Sequence, residues 1–139
     1  MVCRLAAHWV WAYSPDRVGT TGLWRQNTKE VVDAQQISIG LIKSQFDAVF
    51  SDFNISAIKT GMLANVSVIN IVAELIKRYK CESYVLDPVM ISKSGYNLLE
   101  QEAVDALQYE LFPLSTLITP NIYEAQVLSN MEIVTLKDV

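Results

Sequence analysis

From residue 39 onward, the hydrophobic positions alternate between the spacing of helices and the spacing of strands. Three segments carry apolar residues three or four positions apart, which predicts amphipathic helices. These segments span residues 39–50, 68–79 and 103–111. Short apolar runs that stop at glycine or proline predict buried strands over residues 55–60, 83–87 and 115–119. A further helix is predicted to begin near Asn121.

Strands and helices that alternate at intervals of roughly 30 residues predict an α/β fold, with a mostly parallel sheet flanked by helices. Ligands of such sheets bind outside the carboxyl ends of the strands. Those ends are Thr60-Gly61-Met62, Asp87-Pro88-Val89-Met90 and Thr119-Pro120-Asn121. These three segments are therefore the candidates for ligand binding.

Residues 1–25 differ from the rest of the chain in composition and in the pattern of their apolar residues. They hold all three tryptophans and the only histidine, His8. Their apolar residues follow neither a helical nor a strand period. The regular pattern of the chain therefore begins at Gln26.

Composition narrows the classes of function. The 139 residues are 51% hydrophobic, which is enough for one domain with a core. The formal net charge is −4 and no block of Lys and Arg occurs, so we expect neither nucleic acid nor a membrane as partner. Cys3 and Cys81 lack the spacing of a zinc site, and we expect reduced thiols in a cytoplasmic protein. No apolar run has the length of a transmembrane helix.

Asp87 ends an apolar strand and precedes a proline. A carboxylate there is partly buried unless it meets a cation or a hydrogen-bond donor, which favours a magnesium or phosphate site. The alternative is an aspartate that simply forms the turn before Pro88. The local pattern leaves both interpretations open.

Asn121 and Glu124 lie three residues apart, directly after Pro120. This spacing is typical of a capping box at the start of a helix. It also places a carboxylate at a helix start on the carboxyl edge of a sheet, where anions and their metals bind. Both roles are compatible with the sequence.

Gly61, Met62 and Gln26 are candidates for contact with a small ligand. Glycine permits a tight turn or close approach of the backbone, and the sulfur of methionine packs well against an aromatic ring. Glutamine offers a donor and an acceptor together, which suits an aminopyrimidine edge. The alternatives are core packing for Met62 and a solvated side chain for Gln26. The sequence contains no Gly-x-x-x-x-Gly-Lys-Ser/Thr loop and no Gly-x-Gly-x-x-Gly.

Taken together, these segments are similar to one family. Gln26-Asn27-Thr28 resembles the Gln-Asn-Thr of the hydroxymethylpyrimidine and phosphomethylpyrimidine kinases of thiamine synthesis. Three further segments resemble that family in the same order: Ile58-Lys59-Thr60-Gly61-Met62-Leu63, then Val85-Leu86-Asp87-Pro88-Val89-Met90 with Lys93-Ser94-Gly95, then Leu117-Ile118-Thr119-Pro120-Asn121 with Glu124-Ala125.

The resemblance implies a ribokinase-like fold and ATP- and Mg²⁺-dependent phosphorylation of 4-amino-5-hydroxymethyl-2-methylpyrimidine and its monophosphate. It implies a pyrimidine pocket formed by Gln26, Met62 and Val89. It implies a phosphate side formed by Asp87, Asn121 and Glu124, with Mg²⁺ held indirectly through Asp87 and Glu124. Catalysis of this kind depends on positioning and on neutralising the transferring phosphoryl group.

Two parts of the family pattern are missing from this chain. We find neither the Gly-rich opening segment nor the strand expected before Gln26, and no C-terminal lysine segment or Gly-Thr-Gly-Cys anion hole. No catalytic residue is therefore assigned, and Cys81 does not match the family's cysteine. We expect residues 1–25 to be an atypical segment, out of frame or poorly ordered, and residues 26–139 to be the central part of a truncated kinase domain.

Truncation predicts negligible activity for the isolated chain, because a lost anion hole alone typically costs about 10²–10³ in rate. Two alternatives remain beside the pyrimidine kinase. One is a pyridoxal kinase, which shares the Gly-Met-Leu and Asp-Pro-Val-Met pattern. The other is a non-catalytic fragment that forms a homo-oligomer or pairs with a complementary fragment, because an incomplete sheet exposes strand edges and apolar surface.

Overall fold

The computed structural model describes residues 6–12, 18–26, 31–90 and 99–135. The elements in chain order are β1 (Ala6–Ala12), β2 (Val18–Gln26), β3 (Val31–Gln36), α1 (Ile39–Asp52), β4 (Ile58–Thr60), α2 (Val66–Arg78), β5 (Tyr84–Leu86), α3 (Gln101–Ala106), β6 (Leu117–Ile118) and α4 (Ile122–Ser129). A π-helical turn over Leu107–Leu111 and a 3-10 turn over Phe112–Leu114 continue α3.

The described strands form one sheet in the order β3-β2-β1-β4-β5-β6. β4, β5 and β6 are parallel, and helices connect them. The predicted α/β fold, with a parallel sheet flanked by helices, is therefore confirmed. The strands are shorter than predicted, since β4 and β5 have three residues each and β6 has two.

The first three strands extend this sheet in a way that the sequence did not predict. β1 runs antiparallel to both β2 and β4, and β2 runs antiparallel to β3. Residues 1–25 showed no strand period in the sequence, yet Ala6–Ala12 and Val18–Gln26 are strands. Strand formation depends on pairing with distant residues, and an irregular pattern of apolar residues does not exclude it.

A polar side chain caps the N-terminus of each of the two long helices. Ser38 Oγ accepts a hydrogen bond from Leu41 N at 3.3 Å at the start of α1. Asn65 Oδ1 accepts from Val68 N at 2.9 Å at the start of α2. Lys77 and Arg78 lie in the last turn of α2, where positive charge suits the helix dipole. These caps stabilise the starts of two helices that the apolar spacing had predicted.

One hydrophobic core joins the helices to a single face of the parallel sheet. Ile58, Tyr84 and Leu86 point to this face, and all three are buried. The buried residues of α1, α2, α3 and the π-helical turn belong to the same cluster. The alternating residues Lys59 and Val85 point to the opposite face and are only partly buried. The described helices therefore cover one face of β4 and β5 more completely than the other.

Two buried hydroxyl groups form a hydrogen bond with each other inside this core. Tyr84 is 0% exposed, and its phenol lies 2.6 Å from Thr60 Oγ1 on the neighbouring strand. Burial raises the pKa of Tyr84, since a phenolate would lose its hydration there. The pair anchors the last residue of β4 directly beneath the carboxyl edge of the sheet.

Cys81 provides a test of the packing at the end of α2. Burial raises the pKa of its thiol from 9.0 to about 11, because the thiolate is the charged form. We expect alkylation of Cys81 by iodoacetamide to have its midpoint near pH 11 in the folded chain and near pH 9 in urea. Between those values the unfolded thiol ionises first, so this group's contribution to stability falls as the pH rises.

Peptide mass spectrometry separates Cys81 from Cys3 in that experiment. The urea-unfolded chain supplies the matched control. A midpoint near pH 9 in the folded chain would show that the thiol is not packed as the structure places it.

Candidate active site

The carboxyl ends of β4, β5 and β6 lie side by side, as the sequence predicted. Asp87 N donates to Thr60 O at 2.9 Å, and Thr119 N donates to Leu86 O at 2.9 Å. Val89 N donates to Asp87 O at 2.9 Å, so the chain turns sharply around Pro88. These bonds place the ends of all three strands at one edge of the sheet.

Asp87 forms an ion pair that the sequence analysis did not identify. Lys59 Nζ lies 2.6 Å from Asp87 Oδ2, and the two side chains are 42% and 31% exposed. Three other ion pairs among the described residues have distances of 3.3–3.5 Å, and their acidic side chains are more exposed than Asp87. The Lys59–Asp87 pair is therefore shorter and better shielded than those three, and it orients the carboxylate at the edge.

The register of β4 and β5 explains this contact. Lys59 pairs with Val85, and Asp87 follows two residues later on the same face of the sheet. Diagonal neighbours of this kind are within reach of a long side chain. A lysine in the middle of a buried parallel strand was the available signal, because parallel strands usually consist of near-continuous hydrophobic residues.

Glu124 is buried, and backbone donors bind both of its carboxylate oxygens. Oε2 accepts from Asn121 N at 2.8 Å, while Asn121 Oδ1 accepts from Glu124 N at 2.9 Å. This is the capping box that the spacing suggested. Oε1 accepts from Met90 N at 3.3 Å, and the residue is only 4% exposed. Glu124 thus ties the loop after β5 to the start of α4.

Asp87 fits a magnesium-bound nucleotide better than Glu124 does. Magnesium usually keeps several waters and binds through one or two carboxylates together with substrate phosphates. Asp87 is a partly exposed carboxylate at the sheet edge, whereas the buried Glu124 is not suited to direct coordination. In the part of the chain that the structure describes, no three His, Cys, Asp or Glu side chains are grouped to hold a metal.

Met62 is buried beside Thr21 rather than exposed in a loop. Its side chain is 2% exposed, but it is not among the residues of the main core cluster. Its carbonyl accepts a hydrogen bond from Thr21 Oγ1 at 3.4 Å. A Cβ added to the adjacent Gly61 would meet no atom within 4 Å, so open space adjoins the backbone there. Both observations are compatible with a ligand-facing segment at the end of β4.

Gln26 lies on β2, and Thr21 of the same strand contacts Met62. β2 and β4 both run antiparallel to β1, so they point the same way, and Thr21 lies level with the end of β4. Gln26 follows five residues later, as the last residue of β2. Val89 and Asp87 share one turn, while Lys93, Ser94 and Gly95 lie outside the described residues.

These features define the class of protein. Parallel strands linked by helices, with a carboxylate, a helix start and an open glycine at their carboxyl edge, are the framework of a ribokinase-like small-molecule kinase. The family model for phosphomethylpyrimidine kinase matches residues 17–139. The chain belongs to this family, as the resemblance predicted.

Individual relatives agree with the family model. The hydroxymethylpyrimidine/phosphomethylpyrimidine kinase of Aquifex aeolicus is 43% identical over 119 residues, which are 86% of this chain and 47% of that protein. The phosphomethylpyrimidine kinase of Clostridium difficile 630 is 41% identical with a TM-score of 0.79, over 86% of this chain and 52% of that chain.

A more distant neighbour is the ADP complex of Bacillus subtilis pyridoxal kinase, at 32% identity and a TM-score of 0.76. It covers 86% of this chain and 46% of that chain. The chain spans about half the length of the curated relatives it matches. No helix in the described residues is both long and apolar enough to cross a membrane.

Proposed function

We propose that this chain forms the central part of the substrate- and ATP-binding site of a hydroxymethylpyrimidine/phosphomethylpyrimidine kinase. The observation that supports this most directly is the meeting of Met62, Asp87 and the start of α4 at one edge of a family-matched sheet. The reaction would transfer the γ-phosphoryl group of ATP to the hydroxymethyl group of the pyrimidine, and then to its monophosphate.

In this proposal the edge residues bind and orient, and no residue of this chain supplies a catalytic base. Met62 and Val89 line the pyrimidine pocket, and Gln26 is proposed to contact the ring from β2. Asp87 and Asn121 face the phosphates, while Glu124 acts indirectly through the loop that it holds. Lys59 is a positioning residue, because it acts through Asp87.

Magnesium, when bound with ATP, would neutralise charge on the transferring phosphoryl group. Asp87 is the residue proposed to hold it, through one oxygen or an intervening water. ATP-dependent activity is consistent with a cytoplasmic protein that contains reduced cysteines, and we propose that location. The proposed small-molecule partner is the pyrimidine, without nucleic acid or membrane.

A chimeric kinase tests this proposal without requiring the chain to act alone. Residues 18–135, which include Gln26, would replace the matching segment of the Clostridium difficile kinase. We expect the chimera to phosphorylate the hydroxymethylpyrimidine and its monophosphate with ATP, as measured by mass spectrometry, and to lose activity in EDTA. The isolated chain should give negligible product. A folded chimera that phosphorylates neither substrate would contradict the proposal.

Pyridoxal kinase is the second candidate, because pyridoxal kinases share the fold at lower identity. Competition between the two substrates in one reaction with the chimera separates the candidates. We expect the pyrimidine to be preferred by about tenfold or more in kcat/KM, since pockets discriminate by contacts to ring substituents. Equal or higher rates with pyridoxal would favour the second candidate.

A further inference from the structure

The loop Met62–Asn65, between β4 and α2, is hydrogen-bonded to both β2 and β3. Thr21 of β2 is 3% exposed, and its Oγ1 donates to Met62 O at 3.4 Å. Gln36, the last residue of β3, accepts through Oε1 from Asn65 Nδ2 at 2.7 Å. One buried and one solvent-exposed hydrogen bond therefore connect these two strands to the loop.

The N-terminal cap of α2 fixes which atom of Asn65 faces Gln36. Asn65 Oδ1 accepts from Val68 N at 2.9 Å and so forms the cap. Its Nδ2 is the atom left to face β3, and an amide nitrogen can only donate. Gln36 must therefore present an acceptor, and a glutamate at this position would serve as well as glutamine. The bond has a defined direction, which substitutions can test.

The strands β2 and β3 extend from this bond to Gln26. Their ladder starts at Gly22 opposite Gln36 and reaches Gln26, the last residue of β2. Gln26 and Met62 are the two residues that the proposed function assigns to the pyrimidine from these different segments. A shift of the strands against the loop would move one of them relative to the other, and a misplacement of about 1 Å is enough to lower the rate of an enzyme substantially.

We infer that Gln36 and Asn65 are positioning residues for the pyrimidine substrate. Their hydrogen bond holds β2 and β3 against the loop before α2, and so sets the position of Gln26 relative to Met62. The two partners are 29 residues apart in the sequence, so no local pattern marks the contact. This inference rests on the proposed function, since it concerns how the substrate of that same site is bound.

The chimeric kinase that carries residues 18–135 tests the bond through substrate affinity. Gln36→Met should raise KM for the hydroxymethylpyrimidine by about fivefold, because a single hydrogen bond commonly contributes about that factor. Asn65→Ser should have the same effect, since serine also caps a helix but is too short to reach Gln36. Both variants should leave kcat and the KM for ATP unchanged, because the bond acts on the pyrimidine side alone.

Three further variants separate positioning from a purely structural role. Gln36→Glu keeps the acceptor and should retain the KM of the unchanged chimera. Gln35→Met is the matched control, because Gln35 is exposed and points to the other side of β3. Gln36→Met combined with Asn65→Ser should raise KM no further than either change alone, since one bond can be lost only once.

An unchanged KM in both single variants would overturn the inference, even if their melting temperatures fell. A double variant whose KM rises by the product of the two single effects would overturn it too, because the two residues would then act independently.

Hydrogen exchange in the 139-residue chain separates this inference from the proposed function. Gln36→Met should speed exchange of the amides of β2 and β3 by about fivefold relative to Gln35→Met, because the strands would open more easily. Equal exchange in the two variants would overturn the inference. Faster exchange together with a chimera that yields no product would count against the proposed function and support the holding of β2 and β3 by this bond.

Discussion

Replacing Asp87 with asparagine should lower kcat of the chimeric kinase by about 10²–10³, because one preorganised electrostatic group is commonly responsible for that much. Lys59→Met should lower kcat/KM by about 10–10², since Asp87 would lose the partner that orients it at 2.6 Å. Steady-state phosphorylation of the pyrimidine measures both effects.

The magnesium dependence distinguishes positioning from a purely structural role of Lys59. Without the competing ammonium group, Asp87 should reach half-maximal activity at a lower Mg²⁺ concentration. Lys59→Arg keeps the charge and should restore most of the activity. Lys43→Met is the matched control, because the Lys43–Glu74 pair is longer, at 3.4 Å, and more exposed. An unchanged magnesium response in Lys59→Met would rule out the positioning role.

Replacing Glu124 with alanine should destabilise this chain by about 3 kcal/mol, through loss of the capping box and of hydrogen bonds to a charged group. The backbone N–H groups of Met90 and Asn121 would lose their acceptor. Urea unfolding followed by circular dichroism measures the change in the free energy of unfolding.

Glu124→Gln is the informative comparison, because glutamine also completes a capping box and keeps one acceptor. We expect it to cost about 1 kcal/mol. Glu74→Ala, at an exposed surface pair, should change stability by less than about 0.5 kcal/mol. If Glu124→Ala were as stable as Glu74→Ala, the carboxylate would not hold the loop to α4.

Sequence alone predicted the region from α1 to α4 well, since its signals are local. Apolar periodicity marked α1 and α2, and Lys77 and Arg78 marked the end of α2. Proline and glycine marked the strand ends. Asn121 and Glu124 predicted a capping box, because its partners lie three residues apart on one helical turn.

Candidate site residues were predicted less completely than the elements that carry them. The carboxyl edge of the sheet carries Asp87, Val89 and Glu124, since each follows a strand whose end is marked by proline in the sequence. Lys59 was missed because its partner is 28 residues away. The contact of Thr21 with Met62 was also missed, because it depends on the pairing of β1 with β2 and β4.

The sequence by itself determined the order and type of the elements from α1 to α4, the family, and the strand ends that carry the candidate chemistry. Only the tertiary structure decided that β1, β2 and β3 join the sheet antiparallel, that Lys59 meets Asp87, and that Glu124 reaches Met90. The reason is physical. Periodicity and caps act between neighbours along the chain, whereas strand order and register depend on packing between residues that are distant in sequence.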